Sequence, residues 1–161
     1  MDVDASLLGP PVAPLREATV QIARVGMERF PEIQDMNEAL FGDRRVIFRT
    51  DREDLTLLIA TDTVSGEAVG YKVGYGESGT AFYSAKGGVL PAFRRRGLAR
   101  RLLHRLMDEA REMGYRRFAY DTFPNKHPGM TVLGLAEGFR VTAAGYNAAY
   151  RDYRIRFETK L

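Results

Sequence analysis

Residues 87–100 read GGVLPAFRRRGLAR and join a predicted strand to the best-defined helix of the chain. The strand covers Thr80–Leu90, and Pro91 closes it because proline cannot donate to a sheet. The helix begins near Gly97 and ends before Gly114, which stands where a helix stop is expected. Its apolar residues form one stripe, typical of a helix packed on a sheet: Leu98, Leu102, Leu106, Ala110 and Met113.

The start of this helix lacks the usual capping residue. A helix start leaves free N–H groups and a partial positive charge. A Ser, Thr, Asp or Asn residue normally accepts a hydrogen bond from one of these N–H groups through its side chain. Here arginines stand in that place, while Asp108, Glu109 and Glu112 lie in the second half. Both placements oppose the helix dipole by about 0.3–1 kcal/mol per exposed charge. An external anion that bonds the N–H groups and neutralises the arginines resolves the conflict.

The surrounding charge indicates how large the anion is. No acidic residue lies between Glu77 and Asp108, and seven basic residues fall there: Lys86, Arg94, Arg95, Arg96, Arg100, Arg101 and Arg105. A stretch of this width suits a pyrophosphate with a further phosphate. A solvated surface run and a nucleic-acid patch are the open alternatives. The net charge of only +3 and the lack of interleaved aromatic residues disfavour nucleic acid.

Length and composition predict one globular domain spanning residues 1–161, with residues 1–14 as an irregular lead-in. The absence of cysteine excludes disulfides and a cysteine nucleophile, and with two histidines we expect no metal site. The acidic start, Met1–Asp4, has no basic leader, and no apolar run approaches the roughly 20 residues of a membrane span. We therefore expect a cytoplasmic protein with no membrane partner.

Periodicity along the rest of the chain predicts strand, helix, three strands, helix, strand, helix and two strands. The predicted elements outside the central pair are strand Thr19–Val25, helix Met27–Phe41, strands Leu55–Thr61, Ala68–Tyr75 and Tyr115–Thr122, helix Pro128–Glu137, and strands Phe139–Ala144 and Tyr150–Thr159. This order indicates an α/β (α+β) fold with a mixed, mostly antiparallel sheet of six to seven strands flanked by helices.

Two motifs in order make the chain resemble the GNAT superfamily of acetyl-CoA-dependent N-acetyltransferases, and in particular a bacterial subgroup. The first is Val89-x-Pro91-x-x-Arg94-x-x-Gly97-x-Ala99, which is similar to the family's acyl-CoA signature. The second is Asn125 after a strand, followed by a helix that ends in Gly138-Phe139. The resemblance implies that the fourth strand bends and splays from the fifth, and that the cofactor's pantetheine arm lies between them.

The resemblance also implies roles for individual residues. Gly88 and Val89 would offer backbone groups to pantetheine, and Asn125 would bond the same part of the cofactor. The pyrophosphate would be held by Arg94, Arg95, Arg96, Gly97, Leu98, Ala99 and Arg100. Asn125 has an alternative interpretation as a turn residue ahead of Pro128.

Candidate catalytic residues follow less directly. Family members usually carry a tyrosine that acts as the general acid, four residues before the glycine of Gly-Phe. Here Gly134 stands in that position. His127 lies nearby, where a turn residue is the commoner interpretation. The candidates for the base are Tyr83 on the fourth strand and Asp121 at the end of the fifth, although a phenol with a pKa near 10 is a poor base unless its pKa is shifted.

The acceptor is expected to be an amine of a small molecule or peptide. The first helix and the last hairpin, which line the acceptor site in the family, carry acidic and aromatic residues that suit a cationic amine: Glu28, Glu32, Asp35, Glu38, Asp43, Tyr146, Tyr150 and Tyr153. These acids are equally typical of a solvated helix face. A CoA-binding module without catalysis is the second hypothesis, and a homodimer through the edge at Tyr150–Thr159 is a further one.

Overall fold

The computed structural model describes residues 19–161, so the predicted lead-in at residues 1–14 lies outside the described residues. Within that range the helices and strands follow the predicted order. They are β1 (Val20–Val25), α1 (Phe30–Phe41), β2 (Thr56–Asp62), β3 (Ala68–Gly76), β4 (Ala81–Val89), α2 (Leu98–Glu112), β5 (Arg117–Thr122), α3 (Pro128–Ala136), β6 (Arg140–Asn147) and β7 (Asp152–Lys160).

All seven strands form one sheet in the order β1-β2-β3-β4-β5-β7-β6. Every neighbouring pair is antiparallel except β4 and β5, which are parallel. The predicted mixed, mostly antiparallel sheet is therefore confirmed. The expected free edge at Tyr150–Thr159 is wrong, because β7 lies between β5 and β6. Phe157 on β7 is fully buried.

Helices cover both faces of the sheet. On one face α2 packs its buried stripe against the sheet, and Leu98, Leu102, Leu106 and Ala110 are nearly inaccessible. Met113, the last residue of the predicted stripe, is 36% exposed because it caps the helix and no longer faces the sheet. The α3 side chains join the same cluster through an aromatic group around Tyr120 and Phe139. On the other face, α1 packs over β2 and β3 and reaches Gly88 of β4.

Strands β4 and β5 separate soon after they meet. Only Ala81, Phe82 and Tyr83 of β4 have partners on β5, although β4 continues to Val89. Between Ser84 and Lys86 the register of β4 with β3 shifts by one residue, which is a β-bulge. A bulge bends its strand and increases the local twist. The predicted splay of the fourth and fifth strands is thus present and has a local cause.

Candidate functional site

The loop from β4 to α2 presents backbone N–H groups to solvent. Pro91–Phe93 forms a single 3-10 turn, and both Arg95 (φ 61°) and Gly97 (φ 82°) take the left-handed conformation. Gly97 is the N-cap of α2 and, having no side chain, makes no capping hydrogen bond. The first N–H groups of a helix have no acceptor inside the helix. The predicted uncapped helix start is therefore observed, with its N–H groups open to an anion.

One arginine of this loop has a polar atom without a partner. Nε of Arg96 is buried and has no hydrogen-bond acceptor among residues 19–161. A buried donor that lacks an acceptor costs about 1–3 kcal/mol. The residues present therefore fit an anionic group at this position, which would supply the missing acceptor.

Several other arginines of the basic stretch are already used inside the fold. Arg94 donates from Nε to the carbonyl oxygen of Val89 at 2.9 Å and closes the loop on the strand end. Arg100 pairs with Glu137 at 2.7 Å, and Arg101 donates to the carbonyl oxygen of Val20 at 2.7 Å. Arg105 bonds Glu109, whose near-complete burial it offsets together with Arg24. Of the predicted set, the side chains of Arg95 and Arg96 are the most available to an anion.

The open part of β4 has no strand beside it on the β5 side. It begins after Tyr83 and contains Gly87 and Gly88, whose small size lets another chain approach the backbone. A β-carbon on Gly88 would lie only 2.6 Å from Cδ1 of Leu40, so the close packing of α1 also requires glycine there. The gap can accept an extended ligand that pairs with the β4 backbone.

The two candidate catalytic residues meet at the closed end of this gap. The hydroxyl of Tyr83 donates a hydrogen bond to Oδ2 of Asp121 at 2.7 Å. Burial, and then this hydrogen bond, raise the pKa of Tyr83 far above its ordinary value. A phenol with a raised pKa keeps its proton, so the structure disfavours Tyr83 as the base. Asp121 is the member of the pair that can accept a proton.

Tyr83 and Asp121 line an open cavity of about 500 Å³ on the α1 face of the sheet. Their chain neighbours Phe82 and Tyr120 belong to the core under α2, and side chains alternate along a strand. The cavity wall is completed by Tyr75, Glu77, Ala143, Ala144, Gly145, Tyr146, Arg154 and Arg156. It therefore offers both acidic and basic groups, with tyrosine rings between them.

The sequence interpretation missed Arg156, which ties the cavity wall together. Its Nη1 donates to Oε1 of Glu77 at 2.8 Å and lies 4.0 Å from Oδ2 of Asp121. The hydrogen bond to Glu77 is the main reason that the pKa of Arg156 is raised. The alternation of Arg154 and Arg156 with apolar residues on β7 was the available signal, because it places both guanidinium groups on one face.

Gly134, which replaces the usual tyrosine, is explained by its neighbour Tyr120. A β-carbon on Gly134 would collide with the Tyr120 hydroxyl, which donates to the carbonyl oxygen of Met130 at 2.8 Å. The Tyr120 hydroxyl thus lies where the β-carbon of a tyrosine at position 134 would be, and not where the hydroxyl of that tyrosine would be. Tyr120 fills the space between β5 and α3 and does not reproduce the usual acid.

Asn125 and His127 lie on the loop before α3. The amide of Asn125 donates to Oδ1 of Asp152 at 2.9 Å, which ties the loop to the start of β7. The ring of His127 meets Phe41 edge-on, with centroids 5.7 Å apart. Burial, followed by the charge of nearby Lys86, lowers the pKa of His127. Both residues therefore have structural partners beside the gap.

The acidic residues of the first helix are largely paired with arginines. Glu32 bonds Arg29 at 2.6 Å, while Asp35 and Glu38 share Arg44 at 2.5 and 3.3 Å. These pairs neutralise much of the predicted acidic approach. Of the tyrosines predicted to line the acceptor site, Tyr146 does line the cavity. Its ring packs against that of Tyr153, with the centroids 5.4 Å apart.

Comparison with known proteins gives this geometry a family. Residues 21–130, more than half of the chain, match the model of the acetyltransferase (GNAT) family. The chain belongs to the GNAT acetyltransferase family. It is accordingly an acyltransferase. No curated protein matches the chain significantly.

Solved structures share the GNAT fold at low sequence identity. A GCN5-related N-acetyltransferase from Kribbella flavida has a TM-score of 0.74 at 16% identity, covering 91% of this chain and 100% of its own. NAA60 from Arabidopsis thaliana, solved with acetyl-CoA, has a TM-score of 0.71 at 13% identity, covering 89% and 99%. The yncA acetyltransferase from Salmonella typhimurium, also with acetyl-CoA, has 0.68 at 20%, covering 88% and 94%.

Residues 19–161 contain neither a membrane-spanning helix nor a metal-binding cluster. No helix in that range combines the length and the apolar character needed to cross a membrane. The same range holds no group of three or more His, Asp or Glu side chains placed to bind a metal ion.

Proposed function

We propose that this GNAT enzyme transfers an acetyl group from acetyl-CoA to a primary amine of a small molecule or peptide by direct attack. One observation carries the proposal. Beyond Tyr83, β4 has no strand on its β5 side; the Tyr83–Asp121 pair lies at one end of this open segment, and the other end leads into the loop before the open helix start. From Tyr83 to Val89 that segment is about 20 Å long at the usual rise per residue. An extended donor held at one end thus reaches the acceptor cavity at the other.

The cofactor would be held mainly by backbone. The N–H groups of Leu98, Ala99 and Arg100 and the side chains of Arg95 and Arg96 would bind the pyrophosphate. The orphaned Nε of Arg96 and the uncapped Gly97 support this arrangement.

The pantetheine arm would add to the free edge of β4 at Gly88 and Val89. Arg94 stays a predicted contact of the cofactor, although its guanidinium bonds Val89 and its backbone N–H donates to the carbonyl oxygen of Pro91 at 3.3 Å. Asn125 would give up its hydrogen bond to Asp152 and form one with the pantetheine arm instead.

The proposed chemistry begins with the acceptor losing a proton to Asp121. The neutral amine nitrogen then bonds to the thioester carbonyl carbon, while a backbone N–H of the open β4 segment beyond Tyr83 polarises the carbonyl oxygen. The carbon–sulfur bond breaks and its electron pair stays on sulfur, while the nitrogen loses its second proton to water. The thiolate takes up a proton. Tyr83 holds Asp121 by its hydrogen bond, and most of the remaining acceleration comes from positioning.

The cavity supports an amine that is cationic in solution. Asp121 and Glu77 supply negative charge, and Tyr75 and Tyr146 supply ring faces. Arg154 and Arg156 also reach the wall, so the acceptor is not expected to carry a large net positive charge. A cytoplasmic location stays a prediction, as does a dimer, for which β6 is the more exposed of the two edge strands, β1 and β6.

Calorimetry with acetyl-CoA, followed by a thiol-release assay over a broad amine panel, tests the proposal. We expect binding below millimolar concentration and release of CoA with at least one amine. Binding without thiol release would instead favour a module that holds CoA without transfer. Absence of binding, combined with salt-dependent nucleic-acid binding that acetyl-CoA does not displace, would favour a nucleic-acid protein.

A further inference from the structure

A buried lysine lies beneath α2 on the strand next to β4. Lys72, on β3, is only 5% exposed. Its flanking residues on the same face, Gly70 and Gly74, approach Leu102 and Leu106 of α2, which places Lys72 under that helix. A lysine in this setting is uncommon, because lysine is almost never fully buried unless it is paired.

The side chain of Lys72 curls over β4 at the open segment. Lys72 is paired with Gly87, and a β-carbon on Gly87 would lie 3.3 Å from both Cγ and Nζ of the lysine. Gly87 lies beyond Tyr83, the last residue of β4 that pairs with β5. The ammonium therefore lies over the part of β4 that borders the gap, and the missing side chain at Gly87 provides the room for it.

Within residues 19–161, no charged side chain contributes to the pKa of Lys72. Burial alone lowers it to about 8. Its strand neighbours Leu58 and Gly87 are uncharged, as are Leu102 and Leu106, the α2 residues that lie over the flanking glycines. A buried charge without a partner is destabilising, and an apolar residue of similar size would pack there without that penalty. The ammonium is therefore available to a group bound beside β4.

We propose that Lys72 is the proton donor to the thiolate that leaves acetyl-CoA, in place of the tyrosine that Gly134 replaces. This inference rests on the proposed function, since it needs a thioester in the gap. When the carbon–sulfur bond breaks, the electron pair stays on sulfur. A proton then moves from Nζ to sulfur, giving neutral CoA thiol and a neutral lysine, which regains a proton from water after release.

The chemistry of the two groups is well matched. The thiol of cysteine, the side chain nearest in chemistry to the CoA thiol, has a pKa of about 8–9, and burial lowers the pKa of Lys72 to about 8. Proton exchange between them is therefore close to balanced, as efficient acid catalysis requires. Tyr120, the other hydroxyl near α3, is less suited because burial raises its pKa and its proton is donated to Met130.

The first test uses the wild-type enzyme and needs no acceptor amine. Calorimetry in two buffers of different ionisation enthalpy measures the protons released when CoA or acetyl-CoA binds at pH 7.5. We expect CoA to release more protons than acetyl-CoA, because a thiol and an ammonium that lie side by side share one proton and lose the other, whereas the acetylated sulfur has no proton to lose. Equal release would overturn the inference while leaving cofactor binding, and so the proposed function, intact. If neither ligand binds, both ideas fail.

Variants then assign the effect to Lys72. In Lys72→Met the difference between the two ligands should vanish. In Lys72→Arg it should persist, because the charge remains. Turnover should fall by about 100-fold in both, since neither side chain readily gives up a proton, with unchanged affinity for acetyl-CoA.

The matched control is Lys86→Met, a half-buried lysine whose Nζ lies 4.1 Å from the centroid of the Phe41 ring on the opposite face. It should keep the wild-type difference in proton release. Loss of that difference in Lys86→Met, or its survival in Lys72→Met, would overturn the assignment to Lys72. Circular dichroism of each variant verifies that the fold is retained.

Discussion

The hydroxyl of Tyr83 and the carboxylate of Asp121 are joined by a 2.7 Å hydrogen bond across the point where β4 and β5 part. The two residues are far apart in the chain. Tyr83 is the last residue of β4 that pairs with β5, and Asp121 lies two residues beyond its partner Ala119. The bond therefore fixes a carboxylate at the closed end of the gap. Because Tyr83 donates this hydrogen bond, Asp121 is the candidate proton acceptor and Tyr83 is the residue that positions it.

Asp121→Asn should lower kcat by about 100-fold or more, because the amide cannot take the acceptor's proton. The affinity for acetyl-CoA should change little, since the helix start is untouched. Tyr83→Phe should have a smaller effect, because it removes only the orienting hydrogen bond. Steady-state kinetics with an amine found in the panel, together with calorimetry, measures both quantities.

Glu77→Gln is the matched control for the same cavity. Glu77 is an acid held by Arg156 and makes no bond to Tyr83, so its loss should affect kcat less than the loss of Asp121. Equal kinetic defects in the two variants would show that cavity charge, rather than proton transfer at Asp121, sets the rate.

Gly97→Glu should abolish acetyl-CoA binding and leave the fold mostly intact. The change puts a carboxylate at the open helix start and forces a side chain into a left-handed conformation (φ 82°), which costs about 1–2 kcal/mol. Gly66→Glu imposes a similar strain (φ 73°) in the turn between β2 and β3. Calorimetry should show lost binding only in the first variant, and unchanged affinity there would refute the placement of the pyrophosphate.

Lys72→Met should stabilise the protein at neutral pH by about 3 kcal/mol, because it removes a buried charge whose pKa is lowered from 10.5 to about 8. Between these two values the unfolded chain binds a proton that the folded chain does not. Wild-type stability therefore rises with pH there, and the advantage of the variant shrinks. Urea unfolding of both proteins from pH 6 to 10.5 measures the difference, and a variant less stable than wild type at pH 7 would contradict it.

Gly134→Ala should destabilise the fold by about 1–3 kcal/mol, because the new methyl group meets the Tyr120 hydroxyl. Tyr120→Phe alone should cost about 1 kcal/mol through its lost hydrogen bond to Met130. The double variant should be more stable than the sum of the two effects predicts, since removing the hydroxyl makes room for the methyl group. Thermal unfolding of the four proteins gives the coupling, and strict additivity would argue against the contact.

The fold was largely predictable because its signals are local. Periodicity placed the helices and strands, and the motif around Gly97 located an uncapped helix start that the structure also shows. The roles of Asn125 and Arg100 were less predictable. Their partners, Asp152 and Glu137, are far away in sequence, and no local pattern reports such pairing.

The sequence by itself determined the order of elements, the family and the uncapped start of α2, because these depend on spacing over a few residues. Tertiary structure alone decided that Tyr83 keeps its proton, that Arg156 ties Glu77 beside Asp121, and that β7 lies inside the sheet. It also decided that Lys72 is buried without a partner over Gly87. Burial and pairing arise only when distant strands meet, and those two quantities set the proton affinity of each group.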